Sequence, residues 1–180
     1  NAMFCNEKRD LRTMSYEMMF KADLELNGNE TFVETTLKSS LGTSYPSYWF
    51  YKMDYILWKN RIELKCEHWN DYRMTAKNSV EHISPQNPKP EDTNIVFDYS
   101  DTEEIILNKK NDFGNLVLLS PGMNSEYSNK PYNVKRTEFK NKIRLDSLKS
   151  DVIFQNENWN WDLCENHRNE MKKLFINHIQ

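Results

Sequence analysis

The chain has 180 residues, 38% of them hydrophobic, with a mean hydropathy of −0.87 and a formal charge of −3. That length suits one domain with a buried core, and five Trp and nine Tyr against only four Gly argue against a disordered chain. No apolar run approaches the ~20 residues of a membrane span, no signal-peptide pattern opens the chain, and three scattered cysteines do not make a disulfide framework, so a cytoplasmic protein with no membrane partner is expected.

Asn1-Ala2 reads as an appended pair ahead of a starting Met3. Leu11, Met14, Met18 and Met19 recur near the helical period and predict a helix over 7–26, closed by a turn signal at 27–30. A second helix is expected over 31–41, with Phe32, Val33, Thr36 and Leu37 on its apolar side, until "LGTSYPS" breaks it. Ser47 is then placed to cap a long helix carrying Tyr48, Trp49, Tyr51, Tyr55, Ile56 and Trp58. The helical spacing of these bulky side chains reads as a core stripe rather than a base-stacking platform.

Ser79 to Ser84 reads as a short strand, and the three prolines in 85–94 demand a loop. Residues 100–110 form a helix with Ser100 or Asp101 as cap, acids in the first turn and lysines in the last. "GNLVLLS" at 114–120 is a buried strand, turned by Pro121 and Gly122; a helix follows, and a further helical stretch starts with Pro131 in its first turn. Trp161 to Ile179 is an amphipathic helix with Cys164, His167, Met171, Leu174, Phe175 and His178 on one side. The expected fold class is therefore mainly α (α+β): a helical region over 3–78, then a core over 79–180 built on a small β-hairpin plus helix, with C-terminal helices.

Phosphodiester cleavage requires a base for water, a cation for the charge on phosphate, and a group that holds the base. His82 can be that base: an imidazole titrates near pH ~6.5, so activity should rise through roughly pH 6–7. Glu81 leaves the opposite face of a regular strand, so a twist or the strand end must bring the two together. Asn115, across the hairpin, can orient the imidazole or its loop, and Asn124 can offer a carbonyl oxygen to a hard cation. Residues 130–149 hold seven basic residues against Glu138 and Asp146, which is either a phosphate-facing stretch or a solvated helix face. Cys66 with His68, and Cys164 with His167, have too wide a separation for a convincing zinc site.

The strings "VEHISPQ", "GNLVLLSPGMN" and "SNKPYNVK", in that order, resemble the HNH branch of the His-Me finger (ββα-metal) endonucleases. With "YWFYKMDYILWK" before them and "NWNWDL" and the helix bearing Arg168 after, residues 45–178 are similar to the C-terminal domain of GmrSD-type, type IV restriction enzymes. The resemblance implies a metal-dependent DNA endonuclease in phage defence or restriction of modified duplex DNA. It implies one Mg²⁺ or Mn²⁺ held by Glu81 and Asn124, His82 as general base, and Asn115 as the residue orienting it. Asn129 would support the site or the metal; Lys135, with Lys130 and Arg136 beside it, would contact phosphate. Tyr132 stands where the pattern prefers Phe. A ParB-like nucleotide-hydrolysing domain, usual beside this one, would have to come from a partner domain or protein. The other readings of the same residues are a catalytically inactive module binding nucleic acid or a partner, and an RNase.

Overall fold

The computed structural model describes residues 29–142 and 144–179. The helix expected over 7–26 lies outside them. Among the described residues seven α-helices surround one antiparallel pair of strands: α1 (Asn29–Leu37), α2 (Ser47–Lys59), β1 (Ser79–His82), α3 (Glu103–Lys110), β2 (Leu116–Leu119), α4 (Pro121–Tyr127), α5 (Tyr132–Lys140), α6 (Leu148–Phe154) and α7 (Trp161–Ile179). The class is α+β with helix dominant. No helix among the described residues is long and apolar enough to cross a membrane.

β2 explains the unbroken apolar run of its sequence. It is buried on both faces, as strands between two packed layers are. Leu116 and Leu118 belong to one core, with Val33, Trp49, Phe50, Met53 and Phe175; Val117 and Leu119 belong to the other, with Tyr127, Tyr132, Phe139, Phe154 and Trp159. Of the stripe expected on α2, Trp49 and Ile56 are buried, Tyr48, Tyr51 and Trp58 are half-buried against the core, and Tyr55 is exposed; Trp49 meets Phe175 at 5.4 Å, and the neighbouring Phe50 stacks on Phe113 at 5.1 Å. Residues from both sides of position 78 build the first core, because α2 packs on β2, α6 and α7.

Helix ends depart from the sequence expectation for identifiable reasons. Asp101 is committed to the Asp98 N–H and to Lys109, so Thr102 caps α3 by accepting from Ile105 N at 3.3 Å. Ser47 is the first residue of α2 and Pro46 occupies the cap position. Pro121 opens α4 rather than a turn, its missing N–H costing nothing there. The helix expected to run on from Pro131 ends at Lys140; a separate α6 begins after Ser147, whose hydroxyl accepts from Ser150 N at 3.3 Å.

Candidate functional site

The strand register decides which way each side chain of the Glu-His pair goes. Glu81 lies opposite Val117 and His82 opposite Leu116, so they leave opposite faces of β1, as the pleat requires. Glu81 goes toward α5 and His82 toward the C-terminal end of α3. The expected twist does not bring them to one face; Lys135 links them, through the Glu81 carboxylate and the His82 backbone. Its ammonium, with no exposed surface, donates to Glu81 Oε1 at 2.7 Å and to the His82 carbonyl oxygen at 2.6 Å. Burial pushes the Glu81 carboxyl up and the Lys135 ammonium down; each charge opposes the shift of the other. Lys135, expected at phosphate, is therefore an internal counter-charge.

The His82 ring is 4% exposed, and its neighbours at Nε2 are amides: Asn111 Oδ1 at 3.0 Å and Gln86 Nε2 at 3.3 Å. Burial lowers its pKa below the usual 6.5; the Asn111 hydrogen bond opposes this, and the charges of Lys135 and Lys110 add to it. The expected titration near pH 6–7 thus moves to the acid side. Gln86 closes the "VEHISPQ" string but carries no expected role of its own, and Asn111 stands in none of the motif strings. The one available signal for Asn111 was its place directly after the lysines ending α3, where an Asn often terminates a helix.

Asn115 orients the loop rather than the ring. Its side chain is fully buried; Oδ1 accepts from Ser84 N at 2.9 Å and from Trp159 Nε1 at 3.1 Å, while Nδ2 donates to Lys110 O at 2.9 Å. Its own carbonyl takes the Ile83 N–H at 2.9 Å. The backbone that follows His82 is thereby held across the hairpin. The preceding Gly114 allows α7 to approach, since a Cβ there would sit 2.3 Å from the Cys164 carbonyl oxygen. Arg168 of α7 pairs with Asp112, which accepts from Gly114 N at 2.8 Å, so the last helix braces the turn that presents Asn115.

Asn124 lies on α4, which packs on β1, and its Oδ1 is buried without a hydrogen-bond partner. A buried acceptor of this kind invites a donor or a cation. Among the described residues no group of three or more His, Cys, Asp or Glu stands ready to hold a metal ion. Mg²⁺ needs no such cage: one or two carboxylates, waters and substrate phosphate suffice. The Glu81 carboxylate and the orphaned Asn124 oxygen fit that donor set.

The other expected site residues are elsewhere. Asn129 spends both polar atoms on Asn87, donating to its carbonyl at 2.6 Å and accepting from its N–H at 3.2 Å, and so pins the proline-rich loop. Lys130 pairs with Glu138 at 2.6 Å and Arg136 Nε donates to Phe154 O at 2.9 Å. Lys149 is buried and donates to the carbonyls of Phe113 and Leu116 at 2.8 and 2.5 Å; burial pushes its pKa to about 7. Lys142 pairs with Glu126. The basic stretch is therefore not one continuous cationic face; Lys140 and Arg144 are exposed within it. The Cys/His pairs do not meet as a zinc site: Cys66 faces the Leu64 carbonyl, His68 faces Asp151, and Cys164 and His167 are buried in α7.

These contacts define a small α+β domain in which a hairpin followed by a helix carries an acid, an amide-held histidine and an unpaired amide oxygen. The model for the C-terminal domain of GmrSD restriction endonucleases matches residues 31–174, and the chain belongs to that family. No curated protein and no solved structure matches it. Membership points to a function of the restriction-endonuclease type.

Proposed function

We propose that the chain is a divalent-cation-dependent DNA endonuclease domain of the HNH, ββα-metal kind, acting in restriction of phage or modified DNA. The observation that carries this reading is His82 at the end of β1 with Nε2 against an amide oxygen. That contact leaves the other ring nitrogen, Nδ1, a lone pair, and burial keeps the ring neutral at pH 7. In the reaction His82 takes the proton of the water that attacks phosphorus. Asn115 holds the Ile83–Ser84 backbone so that the ring does not drift. Glu81 and Asn124 would hold one Mg²⁺ or Mn²⁺, which when bound supplies charge stabilisation at the scissile phosphate. Lys135 balances Glu81 rather than touching substrate. Lys130 and Arg136, with the exposed Lys140 and Arg144, are the candidates for phosphate contact, and duplex DNA is the proposed partner. A ParB-like nucleotide-hydrolysing partner would act with the domain.

The His82→Ala variant tests the proposal. Loss of Mg²⁺-dependent nicking by about 10²–10⁴-fold, with the circular-dichroism spectrum unchanged, is the expected result. Nicking at the wild-type rate by clean His82→Ala protein would remove the assignment.

One observation favours a second reading, an inactive nucleic-acid- or partner-binding module: the ammonium of Lys135 already neutralises Glu81. Calorimetric titration of Mn²⁺ into wild type and Glu81→Ala separates the two. The nuclease reading expects binding that Glu81→Ala weakens at least tenfold; the binding-module reading expects none in either.

A further inference from the structure

We infer that Asn111, held in place by Gly42, is the residue that positions the His82 ring, a role that rests on the nuclease reading above and departs from the expectation that Asn115 fills it. Asn111 is fixed at both ends of its backbone. Its N–H donates to Leu107 O at 3.0 Å, and its carbonyl accepts from Gly42 N at 3.1 Å. Its Oδ1 lies 3.0 Å from His82 Nε2. An amide oxygen only accepts, so the ring proton sits on Nε2 and Nδ1 keeps its lone pair. Gln86 Nε2, 3.3 Å from the same nitrogen, only donates and so competes for the other tautomer, but Gln86 is exposed and its contact is the longer and less constrained one.

Gly42 is the other half of the device. Its φ is +57°, and a Cβ there would stand 2.6 Å from Asn111 Oδ1 and 2.8 Å from Asn111 Cγ. Any side chain at 42 therefore pushes on the atom that meets the ring, in a backbone conformation that L-residues avoid. The turn Gly42–Ser44 also packs against β1, the strand that ends in His82. The connection between α1 and α2, remote in sequence from the hairpin, thus sets the tautomer of the base. Asn111 is a positioning residue; it touches neither water nor phosphate in this role.

The test reads the His82 tautomer by long-range proton–nitrogen-15 correlation at about pH 8, where a free imidazole is neutral. No DNA or metal is present. Wild type is expected as the Nε2–H form. Asn111→Leu, similar in shape but without an acceptor, is expected to give a mixture or the Nδ1–H form, and Gly42→Ala to follow it. Asn111→Asp, which keeps the acceptor, is expected to keep the Nε2–H form. Cleavage by Asn111→Leu should show kcat reduced at least about tenfold with KM within about threefold, within the range for misplacing a general base. An Nδ1–H ring in wild type, or an unchanged tautomer in Asn111→Leu, overturns the inference whatever the cleavage result. If Gly42→Ala does not fold, the two Asn111 variants decide. A tautomer that follows Asn111 in a wild type that cuts nothing upholds the positioning and defeats the nuclease reading instead.

Discussion

Lys135 and Glu81 form an ion pair at 2.7 Å in which the lysine side chain has no exposed surface and the glutamate keeps 14%. The pair joins α5 to β1, and the same ammonium caps the His82 carbonyl. A buried pair of this kind adds little stability over an apolar replacement, but breaking it leaves an uncompensated charge.

Lys135→Met is therefore expected to cost about 3 kcal/mol in urea unfolding, by stranding Glu81. The double variant Glu81→Gln/Lys135→Met should recover most of that loss. Additive costs, with a coupling below roughly 0.5 kcal/mol, would mean the two groups do not depend on each other.

Asn115 serves two elements and one indole. Asn115→Ala leaves Ser84 N, Trp159 Nε1 and Lys110 O without their partner, and a loss of about 2–4 kcal/mol is expected. Trp159→Phe removes one donor only and should cost the smaller amount, measured in the same unfolding series. Equal costs would show that ring packing against Tyr132, which stacks on Trp159 at 5.9 Å, outweighs the hydrogen bond.

The buried histidines give the protein a defined acid limb. His82 and His167 both have folded pKa values below 6.5 because burial penalises the cation. The unfolded chain then binds more protons just below pH 6.5, so stability is present above that value and falls as pH drops through it. His167→Gln should flatten the fall in a urea-midpoint series between pH 7 and 5.5, and an unchanged slope would count against it. By the same shift, the rise of the cleavage rate with pH should be centred below pH 6.5.

Lys149 acts on the alkaline side. Its folded pKa is pushed to about 7 from an ordinary 10.5. Between those values the unfolded chain holds the proton more firmly, so stability rises with pH across the window. Comparison of urea midpoints at pH 7 and 8.5 should show an increase in wild type that Lys149→Met lacks; higher pH is less clean, because the raised Cys164 thiol then works in the opposite direction.

Several elements were legible from residue order. The bounds of α7 follow from its apolar spacing, and the strand pair and the intervening proline loop follow from pattern and breakers. The opposite facing of Glu81 and His82 also follows from the pleat alone. The expected cap of α3 at Ser100 or Asp101 is not taken, because Asp101 accepts from the Asp98 N–H and pairs with Lys109 of the same helix, contacts that cap preference alone does not weigh. The break between α5 and α6 falls where Lys142, Ile143, Arg144, Leu145 and Asp146 alternate charge and bulk with a period of two, which a helix does not keep, so the expectation of one continuous helical stretch overrides a local signal.

The sequence by itself determined the helix-rich class, the aromatic core and the hairpin that carries Glu81 and His82, because period-2 and period-3.6 patterns are local consequences of backbone geometry. Only the tertiary structure decided that Lys135 and Lys149 point inward, that Asn115 serves the backbone, and that Asn111 meets the imidazole across Gly42. Those outcomes depend on which segments dock against the two faces of β1, and a side chain's composition is the same whether its partner is water, a carboxylate or a ring nitrogen.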